Sequence, residues 1–143
     1  MTRLETLLDS IEQSDIFYVE TESDRQPAKS QRDENDYAIF FNEYAFETSS
    51  ERFVALAHEK GHCDSGAFYN IHTPLITREF CERRAWRHAI LDHLPFDKLM
   101  DAFEACKTAD GVTVFDLSEY LDLSEDFIIQ AIEDYIRMGK QIL

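Results

Sequence analysis

The spacing of apolar residues predicts that most of the chain is helical. Apolar side chains recur at intervals of three and four residues, which places them on one face of a helix. Thr48 and Glu51 form a capping-box pattern at the start of one such helix, and Gly66 is placed to end it. Thr73-Pro74 and Pro95 mark the ends of another. The predicted helices cover residues 2–13, 49–63, 74–94, 96–107, 116–122 and 124–138, with a turn at Asp110-Gly111.

Two short runs rich in β-branched and aromatic residues, at 16–19 and 37–41, predict strands. The stretch between them, 20–36, is polar, contains Pro27 and is predicted to be a mobile loop. The two strands are expected to pair as an antiparallel hairpin with a long connection. The expected fold class is therefore α+β, dominated by helix, with a small antiparallel sheet. We expect one domain over 1–143, in which 95–143 form a C-terminal helical subregion.

Length and composition indicate a globular protein with a hydrophobic core. The chain has 143 residues, 44% of them hydrophobic, with four Gly and three Pro. No apolar run reaches the roughly 18 residues of a membrane span, and the first residues lack the apolar core of a signal peptide. The three cysteines (Cys63, Cys81, Cys106) are too few and too far apart for a disulfide framework. These features predict a cytoplasmic protein with reduced thiols and no membrane partner.

The net charge of −15 disfavours direct binding to nucleic acid; such a surface attracts basic partners, including the basic surfaces of DNA-binding proteins, or serves solubility alone, and charge does not decide between the two. Residues 113–138 resemble two helices around a tight turn, so a DNA-reading helix-turn-helix has to be considered. From Asp116 to Lys140, however, seven acids stand against two bases, the opposite of what a DNA-reading helix needs. We therefore expect this segment to complete a core or bind a partner through Leu117, Leu121, Phe127, Ile128, Ala131, Ile132 and Tyr135.

The predicted helix from Ser49 carries the pattern His-Glu-x-x-His at His58, Glu59 and His62. Residues four apart share a helix face, about 6 Å apart along the axis, so the two imidazoles can bind one Zn²⁺. Glu59 is turned about 100° from His58 and reaches water on the metal rather than the metal itself. Zinc lowers the pKa of bound water to about 7, and the carboxylate can take its proton during attack on a carbonyl and pass it to the leaving amine. This pattern predicts a zinc peptidase.

A catalytic zinc site needs a third protein ligand. Glu82 shares a helix face with the apolar residues Ala85, Trp86 and Ala89, where a carboxylate is costly to bury unless it is paired or bound to metal. Glu79 lies one turn earlier on the same side and is its rival. Helical geometry alone leaves this choice open, with weaker candidates in His88, Asp64 and Asp92, while Cys81 is expected to point elsewhere.

The segments 57–63 (AHEKGHC), 65–71 (SGAFYNI), 82–85 (ERRA) and 94–97 (LPFD) resemble the ImmA/IrrE family of metallopeptidases. The resemblance covers about 37–135. In that family an A-H-E-x-G-H motif and a downstream E-x-x-A motif supply the zinc site. Carried over to this chain, they imply His58, His62 and Glu82 as metal ligands and Glu59 as the base. Lys60 and His72 depart from the family pattern, and the residue that stabilises the oxyanion is left open among Tyr69, His72 and His88.

The resemblance implies a zincin-like fold and a zinc-dependent endopeptidase that acts on a helix-turn-helix repressor of a phage or other mobile element. An alternative is a non-enzymatic antirepressor that keeps the fold and binds the repressor. A structural metal protein would need a fourth protein ligand, for which the sequence offers no candidate. By analogy of geometry, the strand at 37–41 could hold an extended substrate by β-augmentation.

Overall fold

The computed structural model of the chain describes residues 1–142, and 57% of the chain is helical. Together with the sheet, this confirms the α+β class. A short 3₁₀ helix covers Glu43–Ala45. In chain order the elements of the described range are α1 Arg3–Glu12, β1 Ile16–Glu20, β2 Ala28–Asp33, β3 Asp36–Phe41, α2 Ser49–Ser65, α3 Leu75–His93, α4 Phe96–Cys106, α5 Val114–Leu121 and α6 Glu125–Arg137.

The two strands predicted at 16–19 and 37–41 do pair, as β1 and β3, but the sheet is mixed and they pair in parallel, so the predicted antiparallel hairpin was wrong in direction. The strand order of the sheet is β1-β3-β2, with β3 in the centre. β1 pairs with β3 in parallel, with Ile16 opposite Tyr37, whereas β2 pairs with β3 antiparallel. Because β3 is hydrogen-bonded on both sides, it cannot accept a further strand. The expectation that 37–41 could hold an extended substrate was therefore also wrong, and the edge available near α2 is that of β2.

β2 occupies part of the stretch that was expected to be a mobile loop. Its side chains are half-buried or exposed throughout, so no alternation of apolar residues marks it in the sequence. It is held by backbone pairing along its whole length, from Ala28 opposite Phe41 to Asp33 opposite Asp36. A two-residue turn joins β2 to β3, and its first residue, Glu34, has a φ of 56°. Pro27 immediately precedes the strand, at a position where proline costs no ladder hydrogen bond.

The helix α2 begins where the sequence predicted and runs two residues past the predicted end at Cys63, to stop at Gly66 as expected. The Thr48 side chain accepts a hydrogen bond from the Glu51 backbone, and Gly66 ends the helix in the left-handed conformation with a φ of 68°. The reciprocal half of the capping box is displaced by one residue, because the Glu51 carboxylate accepts from the backbone N–H of Glu47. Both ends of the helix are thus fixed by local hydrogen bonding and backbone geometry.

The chain divides into two compact units, Met1–Ala89 and the residues from Ile90 on. In the first, α2 packs against β2, β3 and α1. Its buried residues come from α1, the central strand and one face of α2, and include Leu7, Ile11, Ile39, Phe41, Phe53 and Leu56. The single domain over 1–143 with a subregion from 95 stays a prediction.

The second unit contains α4, α5 and α6, whose facing sides supply its core. Of the apolar set expected to pack there, all are buried except Ile132, which is half-buried. The hydroxyl of Tyr135 donates a 2.8 Å hydrogen bond to the carbonyl of Leu94. The apolar residues of this segment therefore serve packing within the unit.

The sequence also led to expectations about membrane spans and about the cysteines. Among residues 1–142, no helix combines the length and apolar character that crossing a bilayer requires. All three cysteines are free thiols; Cys63 is buried, and Cys81 and Cys106 are half-buried.

Candidate metal centre

The helix α2 presents His58, Glu59 and His62 toward the interior of the first unit. Glu59 and His62 are buried, at 7% and 6% exposure, and His58 is half-buried. Burial of two ionisable side chains is costly unless they have polar partners. The neighbouring elements β2 and α3 supply these partners.

The helix α3 brings Glu82 to the two histidines because α2 and α3 approach closely at Gly61. A Cβ atom at Gly61 would overlap the carbonyl oxygen of Ala85 and lie 2.9 Å from its carbonyl carbon. Only a residue without a side chain permits this approach. Glu82 lies one turn before Ala85, so its carboxylate faces the imidazoles of His58 and His62.

The three side chains predicted as metal ligands form one group. His58 Nε2 lies 2.8 Å from Glu82 Oε2, and His62 Nε2 lies 3.3 Å from Glu82 Oε1. All three ligand atoms lie within 4.8 Å of one another. Tetrahedral bonds of about 2.0–2.1 Å would set ligand atoms roughly 3.4 Å apart, so a small outward adjustment would admit a metal ion. Two imidazoles and one carboxylate are also a donor set that suits a borderline metal ion.

Contacts outside the group orient both imidazoles. The Nδ1 of His62 lies 2.6 Å from the carbonyl oxygen of Ala67, a contact that assigns a proton to Nδ1 and directs Nε2 to the group. The ring of His58 lies against Trp86, with centroids 4.1 Å apart and planes at 30°. Within residues 1–142, the buried Nδ1 of His58 has no hydrogen-bond partner, so the polar contact of this ring is made through Nε2.

The electrostatics of the group keep Glu82 ionised. Burial acts to raise the pKa of Glu82, but hydrogen bonds from His58, His62 and Tyr69 outweigh it and hold the pKa well below its usual range. For His62, burial acts to lower the pKa, and its contacts with Glu82 and Ala67 outweigh this and raise it. The hydrogen bond to Glu82, together with burial, raises the pKa of Tyr69 to about 12. Tyr69 therefore remains a protonated donor at neutral pH.

Glu59 lies beside the group and is held by a residue that sequence reasoning missed. The hydroxyl of Ser30, on β2, donates a 2.9 Å hydrogen bond to Glu59 Oε1. Both line a cavity of about 270 Å³ together with His58, His62, Glu82 and Tyr69. Since β2 looked like a loop and is 29 positions away from Glu59 in the chain, no local pattern indicated this contact.

The three candidates for an oxyanion stabiliser lie in different places. Tyr69 lines the cavity, and its hydroxyl donates a 2.7 Å hydrogen bond to Glu82 Oε1. His72 is an exposed loop residue whose backbone N–H bonds to Asn70 Oδ1. His88 is exposed on α3. Of the three, Tyr69 is the one in position to donate a hydrogen bond to a group bound in the cavity.

The rival metal ligands lie outside the group. Glu79 is exposed on α3. Asp64 forms an ion pair of 2.7 Å with Lys60, and Asp92 lies 3.5 Å from the imidazole of His93. The thiol of Cys81 lies 3.7 Å from the carbonyl oxygen of Phe68.

The arrangement combines three convergent metal-binding atoms, a buried carboxylate beside them and a phenol that stays protonated. A divalent metal ion could bind at His58, His62 and Glu82, and Glu59 would then lie within the same cavity as a proton acceptor. No protein-family model, no curated protein and no solved structure matches this chain.

Proposed function

We propose that this protein is a zinc-dependent endopeptidase. The observation that carries the proposal is the convergence of His58, His62 and Glu82 beside the buried carboxylate of Glu59. The resemblance of the motifs around these residues to the ImmA/IrrE metallopeptidases supports the same assignment. We also propose that the fold is zincin-like.

The ligand assignment follows from the donor atoms. His58 and His62 would hold Zn²⁺ through Nε2, and Glu82 through its carboxylate. When bound, the ion would polarise the substrate carbonyl and acidify water next to it. Three protein ligands leave a further coordination position for water or substrate, as catalytic zinc sites require.

Glu59 is assigned the proton transfers. The hydrogen bond from Ser30 occupies Oε1 and fixes the carboxylate, so Oε2 is the oxygen that we assign to accept a proton from water. The same carboxylic acid can then protonate the leaving amine. Tyr69, whose pKa is raised to about 12, would redirect its hydroxyl hydrogen bond from Glu82 to the oxyanion that develops on the substrate.

The edge of β2 is the proposed binding surface for the substrate backbone. β2 is an outer strand of the sheet, so one row of its N–H and C=O groups faces away from β3. Ser30 and Ala28 on this strand line the cavity that contains the proposed ligands. An extended peptide that adds to this edge would pass directly by the metal-binding group.

The substrate class is proposed from the resemblance and from charge. The resemblance points to a helix-turn-helix repressor of a phage or other mobile element. A protein with a net charge of −15 attracts the basic surface of such a repressor at long range. The DNA-reading surface of the repressor would be drawn to the peptidase, while the peptidase itself would not bind DNA.

The test is incubation of the zinc-loaded wild-type protein and Glu59→Gln with a purified helix-turn-helix repressor of a mobile element, followed by mass analysis. We expect the wild type to cut the repressor and the variant to lose activity by about 10²–10⁴-fold, since Gln cannot accept the proton. Zinc content should be equal in the two proteins. Release of the repressor from DNA by both proteins without cleavage would favour the non-enzymatic antirepressor instead.

A further inference from the structure

A second cavity, of about 620 Å³, adjoins the one that contains the proposed ligands. The two share five lining residues: Gln26, Lys29, Ser30, Phe68 and Tyr69. The second extends along β2 toward Arg32 and, on the other side, to the start of α3 at Arg78. A peptide bound along β2 would therefore place neighbouring side chains in it.

The charge of this cavity is opposite to that of the protein. Its lining includes Lys29, Arg32 and Arg78 and contains neither Asp nor Glu, although the chain has 29 acidic residues against 14 basic ones. Within residues 1–142, none of the three forms an ion pair with a carboxylate. Three cations therefore line one cavity that no acidic side chain lines, so an anionic ligand would meet no competing carboxylate there.

Both arginines lie next to aromatic rings. The guanidinium carbon of Arg32 lies 5.8 Å from the centre of the Phe68 ring, and that of Arg78 lies 5.9 Å from the Tyr69 ring. Arg78 also donates from Nε to the carbonyl of Thr73 at 2.8 Å and from Nη2 to the carbonyl of Ile71. Within residues 1–142 its Nη1 has no such partner and remains as a donor.

The position of Arg32 relates the cavity to the reaction site. Arg32 is two residues from Ser30 on the same face of β2, a distance of roughly 6.5 Å along the strand. A peptide paired with this edge has the same side-chain spacing. A side chain that reaches Arg32 would thus belong to a residue about two positions from the bond that faces Glu59.

We propose that this second cavity is a substrate subsite that binds a carboxylate, and specifically the side chain of an Asp or Glu within the substrate segment. The inference rests on the proposed peptidase function and deepens it. Guanidinium groups bind carboxylates through paired hydrogen bonds, which gives Arg32 and Arg78 a recognition role that lysines would fill less well. The subsite would select an acidic segment locally, while the acidic protein surface attracts a basic protein as a whole.

A binding measurement on zinc-loaded Glu59→Gln tests the subsite without relying on cleavage. Four labelled peptides of equal length are compared by fluorescence anisotropy. One has an internal Glu and an amidated C-terminus, one an internal Gln and a free C-terminus, one both carboxylates and one neither. We expect internal Glu to tighten binding by roughly fivefold over Gln, and more at low salt. A free C-terminus should add nothing.

Arg32→Gln, in the same Glu59→Gln background, should abolish this preference. Arg83→Gln is the matched control, because Arg83 is also exposed and lies 5.7 Å from an aromatic ring, that of Phe80, but outside the cavity. It should leave the preference unchanged. Arg78→Lys is a second variant that keeps the charge and loses paired hydrogen bonding, and it should reduce the preference.

Several results would overturn the subsite. They are equal affinity for the Glu and Gln peptides, a preference that follows the free C-terminus alone, displacement of the peptide by an oligonucleotide at equal concentration, or no binding of any peptide. Failure of the peptidase function looks different. In that case the Glu preference and its loss in Arg32→Gln persist, while the wild-type protein cuts none of the bound peptides.

Discussion

Gly61 on α2 packs directly against the backbone carbonyl of Ala85 on α3, with no space for a side chain between the helices. This contact lies one residue from His62 and one turn from Glu82. It sets the separation of the two helices at the point where His58, His62 and Glu82 converge. The glycine is therefore a structural requirement of the site, although it supplies no ligand.

Gly61→Ala should destabilise the protein. In an open helix position this change is stabilising, because alanine has the higher helix propensity. Here the added methyl group would overlap backbone atoms, and overpacking of this kind costs about 1–3 kcal/mol. Urea unfolding measures the difference. Ser50→Ala is the control, because Ser50 is exposed on the same helix and its substitution should change the free energy of unfolding by about 0.5 kcal/mol or less. Equal effects of the two substitutions would contradict the close approach.

Glu82→Ala should remove most of the stabilisation that zinc gives. Binding to the folded state alone stabilises by about 2.7 kcal/mol at a free ligand concentration 100 times the Kd. Loss of one of three ligands weakens binding and so lowers this increment. Glu79→Ala, one turn away on the exposed side of α3, should behave as the wild type. Thermal unfolding with and without zinc, together with metal analysis, gives the comparison. Similar zinc loss in both variants would show that the third ligand is misassigned.

In the metal-free protein, the contact between His62 and Glu82 should make a pH-dependent contribution to the free energy of unfolding. The pKa of His62 is raised above 6.5, so its contribution is complete below that pH and is lost as the pH rises through the raised value. The pKa of Glu82 is lowered below 4.5, so its contribution is present above that pH and is lost in stronger acid. Both contributions are present between pH 4.5 and 6.5.

The measurement is the difference in urea midpoint between the wild type and Glu82→Gln, both treated with chelator. This difference separates the contribution of the contact from those of the other carboxylates. It should be largest in that pH window and decline above it. A difference that does not change between pH 5 and pH 9 would exclude the assigned directions of the two pKa shifts.

Ser30→Ala should lower peptidase activity while zinc content stays unchanged. The substitution removes the hydrogen bond that holds Glu59, which is worth about 0.5–1.5 kcal/mol and corresponds to roughly 2–10-fold in kcat/KM. Ser30→Thr keeps the hydroxyl and suits a strand, so it should restore most of the activity. Loss of zinc from Ser30→Ala would mean that the residue supports the metal group rather than the base.

The helices and the pairing of His58 with His62 could be predicted because their determinants are local. Thr48 and Gly66 fix the ends of α2 through hydrogen bonding and backbone conformation within a few residues. A helix of known register then places His58 and His62 on one face. The choice of Glu82 over Glu79 needed the family resemblance in addition, and the structure brings Glu82 to the group.

The sheet could not be predicted in full because β2 is stabilised by backbone pairing rather than by apolar burial. Its sequence, AKSQRD, has no alternating apolar positions, and its partner β3 was assigned to a different neighbour. For the same reason the sequence did not indicate the positions of Ser30 and Arg32, which depend on this strand lying beside α2. Long-range pairing of a polar edge strand leaves no local signal in a single sequence.

The stacking of Trp86 on His58 gives the protein a built-in optical reporter. Trp86 is the single tryptophan of the chain, so its emission comes from one place, 4.1 Å from the imidazole proposed to bind the metal. Any change in the electronic state of that imidazole alters the surroundings of the excited indole. A titration with zinc, followed by the intrinsic fluorescence of unlabelled protein, would therefore read the occupancy of the site directly and in real time.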